Sequence, residues 1–188
     1  MKGAKIAVAL VLWIGVAGLA FWLYKIIQEP VVYQAGFDVQ ETATVDRMKD
    51  IREAQNYYIE VHGTYSNNWD SLINTIKYDE IMEIKTIGNP DDTLEVTTYD
   101  TIMRPINELV AFNGTDNVDS LKYIPYSKGE IFKLEANVIK VQRVNIPVYQ
   151  VIAYKENYLM DLNPDFVRLE KDLIMGSLTE ASDAGNWE

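Results

Sequence analysis

The 188-residue chain holds one histidine, His62, and no cysteine, which removes most catalytic chemistry at once. A Ser-His-Asp triad would have to be built around His62. A thiolate metal site, a disulfide frame and a lipidated cysteine are all excluded. No second histidine stands at metal-binding spacing and no nucleophile elbow accompanies the first. His62 just before Gly63 fits a plainer role, facing the last carbonyls and the negative end of a helix. Asn113, Thr115, Asn117 and Asp119 alternate oxygen ligands as a calcium loop does. The EF-hand glycine and closing glutamate are missing in that register, so a solvated loop is expected. Asp79-Glu80 and Asp91-Asp92 read as helix-end and turn charge rather than an acid/base couple. Neither a catalytic residue, a metal nor a cofactor is expected, so the chain reads as a non-enzyme.

Charge narrows the partners. There are 17 Lys plus Arg against 28 Asp plus Glu, a formal net charge of -11. A phosphate backbone is held by cations that release its counterions, so nucleic acid is not an expected partner. The length suits one modest domain.

The first element is a membrane segment. The run Ile6–Tyr24 carries no charge over nineteen residues, close to the roughly 20 that cross a hydrocarbon core. Lys2 and Lys5 precede it and a mostly acidic chain follows. The positive-inside rule then places the N-terminus in the cytoplasm and the rest outside it, in the periplasm if the membrane is a bacterial inner membrane. Ile6, Trp13, Gly15, Gly18, Trp22 and Tyr24 mark the anchor, with Trp22 and Tyr24 at an interfacial aromatic belt. Gly18-Leu19-Ala20 also offers the small residues of a signal-peptide cleavage site. The apolar run continues through Phe21-Trp22-Leu23, which favours a retained anchor. Gly15 and Gly18 are three apart, not the four of the helix-dimer motif, and read as ordinary small residues in a span.

Pro30 is expected to interrupt the helix outside the membrane, with a bend at Tyr33-Gln34-Ala35-Gly36. From Val39 to His62, Val45, Met48, Ile51, Ala54, Tyr58 and Val61 recur at threes and fours, an amphipathic stem. Asp46, Lys49, Asp50 and Glu53 take its other face, and Gly63 supplies the left-handed stop. A second short helix is expected from about Trp69 to Lys77, capped by Asn68 or Ser66. Beyond Tyr78 the period changes to strands at Ile81–Ile87, Thr93–Thr98, Leu121–Tyr126, Ile131–Val141 and Ile146–Tyr154. Turns are expected at Gly88–Asp92, Ser127-Lys128-Gly129 and Arg143-Val144-Asn145. Pro125 and Pro147 point to edge positions or strand starts. Asn163-Pro164 opens a last helix through Glu170, and Thr179–Glu188 reads as a mobile acidic tail.

The fold class is therefore α+β, with a transmembrane helix and an amphipathic stem packed on an antiparallel β-sheet and a short C-terminal helix. The chain divides into an anchor (1–27), a helical stem (28–77), a β-rich head (78–160) and a C-terminal helix with its tail (161–188).

Ala54-x3-Tyr58-x4-Gly63-x-Tyr65-x6-Leu72 resembles the end of the long helix and following turn of type II secretion major pseudopilins. The resemblance covers roughly residues 6 to 77 and includes a proline just outside the membrane. It implies a pilin-like fold and a structural subunit of a secretion, motility or pilus-like assembly. Ser66 stands where that family usually has proline. The segment up to Tyr24 carries neither a Gly-Phe pair nor a Glu, so the resemblance implies a span kept as a permanent anchor. Arg52-Glu53-Ala54-Gln55, Tyr65 and Asp70-Ser71-Leu72-Ile73 are also similar to single-pass envelope proteins of Bacteroidota.

Four triplets read Asp, hydroxyl, aliphatic: Asp70-Ser71-Leu72, Asp92-Thr93-Leu94, Asp100-Thr101-Ile102 and Asp119-Ser120-Leu121. About one is expected by chance from the residue frequencies. They resemble the O-glycosylation signal of exported Bacteroidota proteins, with Ser71, Thr93, Thr101 and Ser120 as acceptors. Caps and turns before apolar elements account for the same residues. Asn113-Gly114-Thr115 fits an N-glycosylation sequon and equally a plain turn.

Two functions of different class follow. One is a structural subunit whose partners, besides the lipid bilayer, are other envelope proteins or copies of itself, met through Val39, Val45 and Met48. The other is a membrane-tethered binding or sensor module. In both, Tyr58 and Tyr65 fix the stem to the head.

Overall fold

The computed structural model describes residues 2–87, 98–115 and 117–188, and side chains from residue 10 onward outside 84–100 and 116. Its first element is one helix, α1, from Lys2 to His62, 61 residues long. The lower part is long and apolar enough to cross a membrane, with none of that apolar stretch buried in the protein. Leu10, Trp13, Phe21, Trp22, Tyr24, Ile26, Val31 and Val32 are all exposed.

The expected break at Pro30 and bend at Tyr33–Gly36 do not occur. A mid-helix proline loses one hydrogen bond and costs about 3 kcal/mol or more. Here the head holds the helix beside it. Asn163 Nδ2 donates to Glu29 Oε1 at 2.8 Å, and the Tyr33 ring stacks on Phe166 with centroids 4.9 Å apart.

The packed face of α1 accordingly starts at Tyr33, lower than expected, and runs through Phe37, Gln40, Thr44, Met48, Ile51, Gln55 and Tyr58. These spacings of three and four keep one stripe against the head. Val61, expected on the stripe, is exposed. Asp50, expected on the solvent face, is buried at 3 % exposure. Gly63 ends α1 with φ +71, the left-handed conformation in which a Cβ would be strained.

Helix α2 spans Trp69–Tyr78, and Asn68 caps it by accepting from the Asp70 and Ser71 N–H groups. Strands β1 (Glu80–Ile87) and β2 (Thr98–Pro105) form an antiparallel ribbon in which Ile81 faces Arg104. The expected strand thus begins at Thr98 rather than ending there. The Gly88–Asp92 turn and Thr93 lie outside the described residues. A single-turn helix, α3 (Ile106–Leu109), follows.

Leu121–Tyr126 is not a strand. A 3-10 turn at Val118–Ser120 runs into turns, with one bridge from Tyr123 to Ile131. The second sheet holds β3 (Lys133–Val141), β4 (Val144–Ala153) and β5 (Leu173–Gly176) in the antiparallel order β3-β4-β5. The β3–β4 turn is Gln142-Arg143, both at positive φ (47 and 73), one residue ahead of the expected connector. Left-handed central residues match the strand twist, here without the usual Gly or Asn. Pro147 pairs only with β3, because β5 covers β4 at Gln150–Ala153 alone, so it does sit on a local edge.

Short helices α4 (Lys155–Tyr158) and α5 (Pro164–Val167) replace the expected longer final helix, and Asn163 caps the second. Tyr149, Val151 and Ala153 of β4, with Leu173 and Met175 of β5, complete the core against Met48, Ile51 and Ala54 of α1. The tail is docked rather than loose. Gly185 bridges Met175, Trp187 packs on the core and Glu188 Oε1 lies 2.7 Å from Arg52 Nη2. The molecule is thus α+β, a long apolar-based helix with two small antiparallel sheets.

Candidate functional site

Arg47 and Asp50, three residues apart on α1, clamp the loop that resembled a calcium site. Asp50 Oδ1 and Oδ2 accept from the N–H groups of Asn113 (2.9 Å) and Gly114 (2.8 Å). Arg47 Nε donates to Gly114 O at 2.8 Å, and Nη1 donates to the carbonyls of Ser120 and Tyr123. The close approach requires glycine, because a Cβ at Gly114 would lie 2.7 Å from the Arg47 backbone nitrogen. Asn117 Oδ1 caps the 3-10 turn and Asp119 Oδ1 pairs with Lys77 Nζ at 2.6 Å. Asn117 and Asp119 are thus spent on structure. Among the described residues, Thr115 Oγ1 is buried without a hydrogen-bond partner, and no group of three metal-ligating side chains occurs.

His62 also has structural partners, though not helix carbonyls. Nε2 lies 2.9 Å from Thr75 Oγ1 and 3.4 Å from Asp79 Oδ2, with the Tyr58 ring 4.3 Å away. Tyr58 and Tyr65 both join stem to head, each only partly buried. Tyr58 Oη is 3.0 Å from Ser71 Oγ, and the Tyr65 and Tyr149 rings are 4.6 Å apart. These two tyrosines also line an open groove of about 440 Å³ with Asn67, Asn68, Ser71 and Asn137. Its lining carries no charged side chain.

The expected partner-facing residues separate. Val45 (9 % exposed) and Met48 (0 %) are core residues of the protein's own head, whereas Val39 stays 56 % exposed. The expected partner role of Val45 and Met48 is corrected by this burial, because Tyr33, Phe37 and Phe166 extend the packed region three turns below Val45. On the apolar part of α1, where the anchor was expected, Trp13, Trp22 and Tyr24 are exposed, and an added Cβ at Gly15 or Gly18 would meet nothing within 4 Å. Ile6 lies on α1. Of the candidate acceptors, Thr101 is exposed on β2. Ser71 is tied to Tyr58 and Ser120 Oγ donates to Asn117 O at 2.7 Å.

Acidic residues crowd the foot of the head. Burial, then the neighbouring Glu170 carboxylate, pushes Tyr33 up to about 12. Burial raises Glu41 above the usual carboxylate range, helped by the charges of Glu170 and Asp38. Higher up, burial and the Asp183 charge raise both Tyr65 and Tyr149. Arg47, Asp50 and Gln55, which hold the distant loops, were not marked by periodicity. The Asn113-Gly114 pair was the one sequence signal for the clamp. The chain matches no protein-family model, no curated protein and no solved structure.

Proposed function

We propose that the protein is a non-enzymatic single-pass protein of a bacterial inner membrane, a structural subunit of a cell-envelope assembly of secretion, motility or pilus-like type. The N-terminus is cytoplasmic and the head periplasmic. The observation that carries this reading is the division of α1 into a bare half and an embedded half. Residues 10–24 are uncharged and exposed all round, and the uncharged run Ile6–Tyr24 to which they belong measures about 28 Å at 1.5 Å per residue. That is close to a hydrocarbon core of about 30 Å, and the exposed apolar side chains along it are free to meet lipid or neighbouring spans. From Tyr33 upward the same helix lies in an α+β head. This division, the Gly63-x-Tyr65 turn and the second helix support a pilin-like fold. O-glycosylation, if present on the described acceptors, belongs at Thr101, whose side chain is exposed.

A second reading, a membrane-tethered periplasmic binding or sensor module, is favoured by the burial of Val45 and Met48 inside the head. It leaves Val39 as the one stem contact of the three expected. Purification of the full-length protein in mild detergent separates the readings. Stoichiometric co-purifying spans or self-association supports the assembly, and a stable monomer supports the tether.

A further inference from the structure

At the foot of the head lies a groove of about 480 Å³, lined on one side by Lys25, Gln28, Glu29, Val32 and Tyr33 and on the other by Asp161, Leu162 and Asn163. Sites for small ligands fall in this size range. Positions 25, 28, 29 and 32 are three and four apart, so they share one face of α1. Lys25 directly follows the uncharged run that ends at Tyr24. From Lys25 to Tyr33 the helix rises about 12 Å, enough to cover a headgroup layer of about 5–8 Å per leaflet.

The charges are ordered along that rise. Lys25, nearest the hydrocarbon, belongs to none of the ion pairs among the described residues. Glu29 stands one turn further out. Its Oε1 accepts from Asn163, so Oε2 remains open. Asp161 meets Lys128 only at 3.9 Å between exposed side chains, a contact of little strength. A glycerophospholipid has the same order reversed in sign, a phosphate next to the glycerol and then an amine. We infer that this groove seats the headgroup of an ethanolamine phospholipid of the periplasmic leaflet, an inference that rests on the membrane-anchor reading. Lys25 takes the phosphate, Glu29 and Asp161 take the ammonium, and Val32 with Leu162 flank the two-carbon linker.

The chemistry selects among lipids. A primary ammonium has three N–H donors for two carboxylates. A quaternary ammonium is recognised by aromatic faces, and the one aromatic ring of the groove, Tyr33, is stacked on Phe166. A purely anionic headgroup meets two carboxylates against one lysine.

The test reconstitutes the full-length protein in vesicles of phosphatidylcholine, alone or with phosphatidylethanolamine or phosphatidylglycerol. Co-purified lipid is then read by native mass spectrometry. Phosphatidylethanolamine should be enriched about tenfold over either competitor, the size of one charge-assisted hydrogen bond. Asp161→Asn should abolish the enrichment at an unchanged melting temperature. Lys25→Gln, on the bare helix and outside the head's core, should lower retention of every phospholipid. Equal retention of all headgroups, preference for phosphatidylglycerol, or enrichment that survives both substitutions overturns the site while leaving the anchor standing. Failure of the protein to insert into any vesicle overturns the anchor and the site together.

Discussion

Gln55 and Ser66 are joined through both ends of one side-chain amide. Nε2 donates to Ser66 O and Oε1 accepts from Ser66 N, each at 2.9 Å, with both residues buried. The amide does for the loop after Gly63 what a neighbouring strand would do, and so fixes how the chain turns back from α1 into α2.

Gln55→Ala should therefore cost about 2–5 kcal/mol, because a buried N–H and a buried C=O both lose their partners. Gln55→Leu keeps the volume and should recover little. Denaturant unfolding of the full-length protein in detergent measures both, and wild-type stability in either variant would refute the role given to the amide.

Val45→Asp should unfold the head, since it places an unpaired charge in the core. Val39→Asp should leave the melting temperature unchanged, as Val39 is exposed. If the assembly reading holds, Val39→Asp is also the substitution that releases partners. Partners retained by this variant would remove the stem from the interface altogether.

Glu41 makes a pH-dependent contribution whose sign follows from its raised pKa. The folded state holds the proton more tightly than the unfolded one, so stability falls as pH rises from the unfolded value, about 4.3, through the folded value. Below both values the two states are equally protonated and the penalty vanishes. Glu41→Gln should consequently stabilise the protein at neutral pH and give no gain in acid. A gain that is constant across this range would rule out titration of Glu41 as its source.

Tyr58→Phe removes only the hydroxyl that meets Ser71 and should cost about 1 kcal/mol. Tyr58→Ala should cost more, yet less than the 3–5 kcal/mol typical of a fully buried aromatic, because the ring is only partly covered. Thermal melts of the two variants, compared side by side, test the partition between ring and hydroxyl.

Removing Trp187 and the residues around it tests the docked tail. Trp187→Ala should lower stability by about 1–3 kcal/mol through lost packing, and trimming the chain after Gly185 should further free the Ile174 N–H that Asn186 Oδ1 now accepts. A mobile tail would make both changes silent in hydrogen exchange at β5.

The upper half of α1, its stop at Gly63, the Asn68 cap and the cores of β1, β3 and β4 were legible because they follow a period or a turn chemistry. The clamp was not. Asp50 and Gln55 are polar, and their partners lie 63 and 11 residues away, so no local pattern marks them as buried. Gln40 and Thr44 hid the lower seam in the same way, and Pro30 reinforced the wrong boundary. Leu121–Tyr126 has a strand-like alternation, but Arg47 takes two of the carbonyls around it. Strand β5 has only four residues and lies close to a tail whose composition reads as solvated.

On the proposed membrane-anchor reading, α1 runs unbroken from the bilayer to His62 and the head rides on a stiff lever. From Lys25 to His62 the axis measures about 55 Å at 1.5 Å per residue. A bilayer that tilts the span by about 10° to match its own thickness displaces the far end by about 10 Å. Under that reading the thickness of the surrounding lipid would become a lateral coordinate for whatever the distal tyrosines meet, with no hinge in between to absorb it.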